Sequence, residues 1–226
     1  MYFDWTILLI LPGLILGLWA QGRVKKAYAE YSKVGTARGL AAEDVVRDLL
    51  SRQGVTSIAI TPVSGSLTDH FDPQTDTLRL SQGVYGSSSV AAVGIAAHEA
   101  GHALQKMENY PLLSLRTFAV PAVNIGSRLA WPIFFVGMLA SWQPLMTAGI
   151  VLFALVVLFT LITLPVEFDA SRRAKRMLAD SGYFEEEELR GVSKVLSAAA
   201  MTYVASFVSA FLTLLRLLLI AQRRRR

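Results

Sequence analysis

Four apolar stretches set the limits on what this chain can fold into. Residues 3–20, 118–142, 144–166 and 198–221 are each about as long as a helix needs, at ~20 residues, to cross the hydrocarbon core of a bilayer. Backbone groups in hydrocarbon must be satisfied internally, so these stretches are expected as helices. Hydrophobic residues make up 53% of the 226 positions, and the mean hydropathy is +0.44. A soluble chain of this length is far less apolar, so a multi-pass membrane protein is expected.

The basic residues flank these stretches. Arg23, Lys25 and Lys26 follow the first, and Arg172, Arg173, Lys175 and Arg176 follow the third, whereas the connection Ser141-Trp142-Gln143-Pro144 carries no positive charge. Lys and Arg collect on the cytoplasmic side. That predicts a plasma or inner membrane protein with its N-terminus outside and its polar segments in the cytoplasm. The expected divisions are an anchor at 1–20, a cytoplasmic portion at 21–117, a two-helix membrane hairpin at 118–166, a cytoplasmic helix at 167–197 and an apolar C-terminal helix at 198–226. The last one strains the charge rule. If it spans, Arg223 to Arg226 end up outside, and Arg216 within it favours a helix lying partly in the interface. The net charge of +5 sits beside apolar runs, so the bilayer is the expected partner and nucleic acid is not.

The chain has no cysteine, so any metal must be held by imidazole and carboxylate. Two of its three histidines fall in His98-Glu99-Ala100-Gly101-His102, within an apolar helical run that starts after Ser87-Ser88-Ser89, a ready N-cap. Histidines four apart on a helix share a face, where one Zn2+ ion can take both. Glu99 lies at the edge of that face, within reach of a water on the metal, as the general base of peptide hydrolysis requires. The pattern therefore implies metal-assisted hydrolysis of a peptide or protein substrate.

Ahead of this helix, residues 40–53 carry a helical apolar stripe closed by Gly54. Residues 56–63 alternate as a strand, and 67–81 read as a hairpin turning at Asp72-Pro73-Gln74-Thr75. His70 lies in that hairpin. A catalytic zinc wants three protein ligands and an open position, and the candidates for the third are His70, Glu108, Glu167, Asp169 and the acidic run 185–188. Glu167 is favoured because Pro165 can start a new helix at the membrane exit, with Asp169 next. His70 and Tyr203 are the candidates for stabilising the oxyanion. The other use of the same residues is a non-catalytic membrane scaffold or adaptor with a structural zinc site, closed by His70 as a fourth ligand.

Four segments carry a resemblance: Leu67-Thr-Asp-His-Phe-Asp-Pro73, Val93-Gly-Ile-Ala-Ala-His-Glu-Ala-Gly-His-Ala-Leu104, Leu164-Pro-Val-Glu-Phe-Asp-Ala-Ser-Arg-Arg-Ala174 and Ala199-Ala-Met-Thr-Tyr-Val-Ala205. Together they resemble the YugP-type family of neutral zinc membrane peptidases, and the layout is similar to the HtpX-type membrane proteases. The resemblance implies a mainly α membrane protein with a small α+β zincin-like metallopeptidase domain, an HExxH helix and a short antiparallel sheet. It also implies a gluzincin site: one catalytic zinc on His98, His102 and Glu167, with Glu99 as base. In the HtpX-like pattern an aspartate orients a zinc-bound histidine. Here that position is Ser171, which leaves Asp169 or Asp69 to supply the charge. Any membrane-protein partner or adaptor is left unidentified.

Overall fold

The computed structural model describes residues 5–223, so the start of the expected anchor and Arg224 to Arg226 lie outside the described residues. A short 3₁₀ segment, Trp5–Ile10, runs into α1, Leu11–Tyr31. Then come α2 (Ala42–Arg52), β1 (Ala59–Val63), β2 (His70–Asp72), β3 (Thr77–Ser81) and α3 (Val90–Met107). Three long helices complete the chain: α4 (Pro111–Leu139), α5 (Gln143–Asp180) and α6 (Glu186–Arg223). Among the described residues, α4, α5, α6 and the helix from Trp5 to Tyr31 are long and apolar enough to cross a membrane.

The chain forms two units. An apolar unit gathers the chain up to Ala20, Ser114–Pro165 and the chain from Met201; a polar unit gathers Gln21–Leu113 and Val166–Ala200. The polar unit is built on α2 and the sheet. Val45, Val46, Leu49 and Leu50 recur at helical spacing on α2 and are buried, while Glu43 and Asp44 sit in its first turn and Arg52 in its last, each matching the helix dipole. Gly54 takes a positive φ of 74° just past the helix end, a conformation that costs a side-chain-bearing residue more. This stripe packs with Leu78 and Leu80 of β3, with Val93, Ala96, Ala97 and Ala100 of α3, and with Leu178, Val192 and Leu196.

The sheet order is β1-β3-β2. β2 and β3 pair antiparallel around the expected turn, but β1 runs parallel to β3, so the sheet is mixed and not antiparallel as expected. After β1 the chain passes 64–69 unpaired before the tight β2–β3 turn. β3 therefore returns between the two strands in the direction of β1. The start of α3 is pinned by Ser89, whose side chain accepts from Ala92 N at 3.2 Å, and by a bridge between Gly35 and Ser89.

Pro165 does not start a helix. It lies inside α5, which runs unbroken over 38 residues. Proline removes one backbone donor, a loss that helices of membrane proteins tolerate when neighbouring groups compensate. Likewise the acidic run opens α6, whose one helix continues from Glu186 through the last apolar stretch. Within the apolar unit, Ala130 and Phe134 of α4, Met146, Phe153 and Val157 of α5, and Leu217 and Ala221 of α6 form the core.

Candidate metal centre

α3 presents His98 and His102 one turn apart, with ring centroids 4.8 Å apart and the rings nearly perpendicular. α5 lies against this face because residue 101 is glycine. A Cβ built there would stand 2.4 Å from the carbonyl oxygen of Ala170, inside any real contact distance. The close approach delivers Glu167, whose Oε2 is 3.2 Å from His98 Nε2 and 3.6 Å from His102 Nε2. Among the described residues, His98, His102 and Glu167 form the one His/Cys/Asp/Glu group that could hold a metal ion, with ligand atoms within 4.8 Å of one another. Glu167 is only 2% exposed.

Both imidazoles turn Nε2 toward the carboxylate because Nδ1 is engaged behind them. His98 Nδ1 is 3.1 Å from Ser171 Oγ, so the serine at the position of the expected aspartate does reach a histidine. His102 Nδ1 is 2.9 Å from Gln105 Oε1. The amide nitrogen of Gln105 donates to the carbonyl of Val166 at 2.8 Å and to Asp169 Oδ2 at 2.9 Å. Asp169 in turn accepts from Arg173 Nε at 2.6 Å and from Arg172, and Arg173 also pairs with Glu108 at 2.7 Å.

Glu99 is buried and accepts a hydrogen bond from the backbone N–H of Phe71 at 2.9 Å. That N–H belongs to the edge strand β2, so the glutamate is tied to the sheet. The β2–β3 turn is held to α3 as well, since Lys106 pairs with Asp76 at 2.6 Å and reaches the carbonyl of Pro73. The local field favours a cation. Burial works against charge on His102, yet the hydrogen bond to Glu167 and the negative charges of Glu99 and Glu167 hold its pKa above the usual imidazole range. A metal ion would meet the same demand. Two imidazoles, one carboxylate and no thiolate suit zinc and leave it an open position.

The remaining sequence candidates lie elsewhere. His70 stands exposed at the head of β2, its Nδ1 2.8 Å from the carbonyl of Thr68, outside the three-ligand group. Tyr203 lies on α6 within the apolar unit, and the group is assembled without it. Glu188 closes a capping interaction with the N–H of Glu185 and also accepts from Ala37 N, both at 2.6 Å. Asp69 holds Ser81, through its N–H at 2.7 Å and its hydroxyl at 2.9 Å, and so supports the hairpin. Sequence reasoning missed Gln105. The available signal was a polar residue one turn after His102 in an otherwise apolar helix.

The family model described as "Putative neutral zinc metallopeptidase" matches residues 6–222. "Putative membrane protease YugP" of Bacillus subtilis (strain 168) is 44% identical over 214 residues, covering 95% of this chain and 95% of that protein. No solved structure matches. Nearly the whole chain, including both helices that carry the His, His and Glu donors, lies within that family match, and the chain belongs to the neutral zinc metallopeptidase family.

Proposed function

We propose that this protein is a zinc-dependent membrane endopeptidase that cuts membrane or membrane-proximal proteins, with its site on the cytoplasmic side of the plasma or inner membrane. The observation that carries the reading is the convergence of His98 Nε2, His102 Nε2 and Glu167 Oε2, with Glu99 beside them on the same helix. His98, His102 and Glu167 would hold one zinc ion, in the gluzincin manner. When bound, the ion supplies an acidified water and polarises the scissile carbonyl.

The chain's own residues do the rest. Glu99 accepts the proton of the attacking water and passes it to the leaving amide nitrogen. Its tie to Phe71 N keeps the carboxylate aimed while its charge changes. β2 is an edge strand, and the N–H of Phe71 faces Glu99 instead of β3. An extended substrate added along that edge passes the base, with backbone hydrogen bonds supplying affinity. His70, one residue before Phe71 on that strand, is assigned to the developing charge on the carbonyl oxygen. The three-ligand set favours catalysis over a structural site, which closes with four.

The test is Glu99→Gln in the full chain. Zinc content is expected to stay unchanged while proteolysis falls roughly 10²–10⁴-fold, the usual contribution of a general base. Full proteolytic activity in that variant overturns the mechanism. Proteins that accumulate in cells carrying the variant then identify the substrates.

A further inference from the structure

A second cluster of charged side chains lies in the polar unit, away from the metal centre. A groove of about 320 Å³ is lined by Arg23, Lys26, Glu30 and Tyr31 of α1 and by Lys194 of α6. Ala27 and Ala198 stand among them, and their small side chains leave the room. On α1 the lining positions recur every three or four residues and so share one helix face, as Lys194 and Ala198 do on α6. Three bases and one carboxylate therefore meet from two helices, which leaves the groove cationic. Lys194 is held in place. A Cβ on Gly191 would stand 2.7 Å from Tyr31 Cε1, so the glycine lets the ring rest on α6. The Tyr31 hydroxyl accepts from Lys194 Nζ at 2.9 Å. An ammonium group has three N–H donors, so two remain for a ligand. Lys26 is exposed. Arg23 has an interaction of its own and adds only its charge.

The place of the groove along the chain narrows the ligand. The first apolar stretch ends at Ala20, six residues before Lys26, and the last one opens at Ala198, four residues after Lys194. A helical turn is about 5.4 Å, so both lysines stand within about two turns of an apolar length. Their flexible stems cover that distance, which puts the ammonium groups at headgroup depth. Like charges brought together from two helices repel, and an anion between them removes the repulsion. The phosphate of a membrane lipid is already at that depth. The volume suits a phosphate with its glycerol, while the acyl chains stay in the bilayer. We propose that this groove binds an anionic phospholipid, whose phosphate is held by Lys26 and Lys194. The site shares no residue with the metal centre and does not depend on the reading of that centre.

The full chain, stripped of lipid in detergent micelles, is titrated with phosphatidylglycerol or phosphatidylcholine, and the first bound lipid is read by native mass spectrometry. The first phosphatidylglycerol is expected to bind at a concentration well below that needed for phosphatidylcholine. Lys26→Gln with Lys194→Gln should weaken that first step roughly thirtyfold, each lysine contributing a comparable share. Lys25→Gln with Arg176→Gln removes the same charge at exposed positions outside the groove. That control should bind the first phosphatidylglycerol much as the wild type does, which separates the groove from general electrostatic attraction. Lys26→Arg with Lys194→Arg should retain most of the affinity, which separates loss of charge from loss of fold. Equal binding of the two lipids by the wild type overturns the proposal, as does a loss in the Lys26 and Lys194 glutamine variant no greater than in the control. So does displacement of phosphatidylglycerol by inorganic phosphate beyond that by chloride at equal ionic strength, because it assigns the groove to a free anion.

Discussion

Gln105 is a neutral amide placed between a metal-facing histidine and a carboxylate. Its two N–H donors are taken by the carbonyl of Val166 and by Asp169, so its oxygen must face His102. That fixes the proton on His102 Nδ1 and leaves the Nε2 lone pair for the metal, the tautomer a ligating histidine needs. Asp169, held by Arg172 and Arg173, thus acts on His102 through an amide, while His98 has only the hydroxyl of Ser171. Gln105→Ala is expected to weaken zinc binding about 10–100-fold, as loss of a partner behind a ligand does, measured by competition with a chelator of known affinity. At this scale the pair His98 and His102 was legible from four-residue spacing and the lack of cysteine, whereas Glu167 was one of several candidates, favoured on a helix start at Pro165 that α5 does not have. Gln105 was not. A glutamine in an apolar helix names no partner, and the Val166 carbonyl and Asp169 lie over sixty residues along the chain.

The contact of α3 with α5 turns on a single missing methyl. Gly101→Ala would drive a Cβ into the carbonyl of Ala170, a backbone atom that cannot step aside as a side chain would. The helices must separate, at a cost of about 1–3 kcal/mol for overpacking, and Glu167 moves with α5. The expected result is a folded protein of lowered thermal stability with weaker zinc binding than the wild type, read by calorimetry and metal analysis; unchanged zinc affinity would show that the approach is not set at Gly101. The elements themselves were largely legible, because apolar length marks a spanning helix and the stripe on α2 has helical period. Strand pairing was less so. Alternation fixes which faces of β1 and β3 are buried, but it does not say that they run parallel. Pro165 misled for a related reason: the rule that places proline at a helix start describes a helix in water, whereas α5 continues through it.

Across the whole molecule, the four long helices each pass from one unit to the other, at Ala20, near Ser114, at Pro165 and at Ala200, and the metal ligands come from segments on both sides of two such passages. A zinc ion held by the three would therefore join parts of the polar unit that the sequence separates. Removal by a chelator is expected to abolish activity and lower the apparent unfolding temperature, and zinc should restore both. At free zinc a hundredfold above Kd the stabilisation is about 2.7 kcal/mol. A protein whose unfolding temperature ignores the chelator would carry no such link. This division was only half visible in the sequence. The composition shifts at Gln21 and Val166 can be read, but not which of the separated segments fold together.

The order of synthesis gives Glu167 a further meaning. A ribosome that has released His98, Glu99 and His102 has made one half of the candidate centre, but sixty-four residues still separate His102 from Glu167. Those residues include the apolar lengths of α4 and α5, which are long enough to cross a membrane. If the proposed function holds, a nascent chain would lack peptidase activity until Glu167 has been made and has folded against α3.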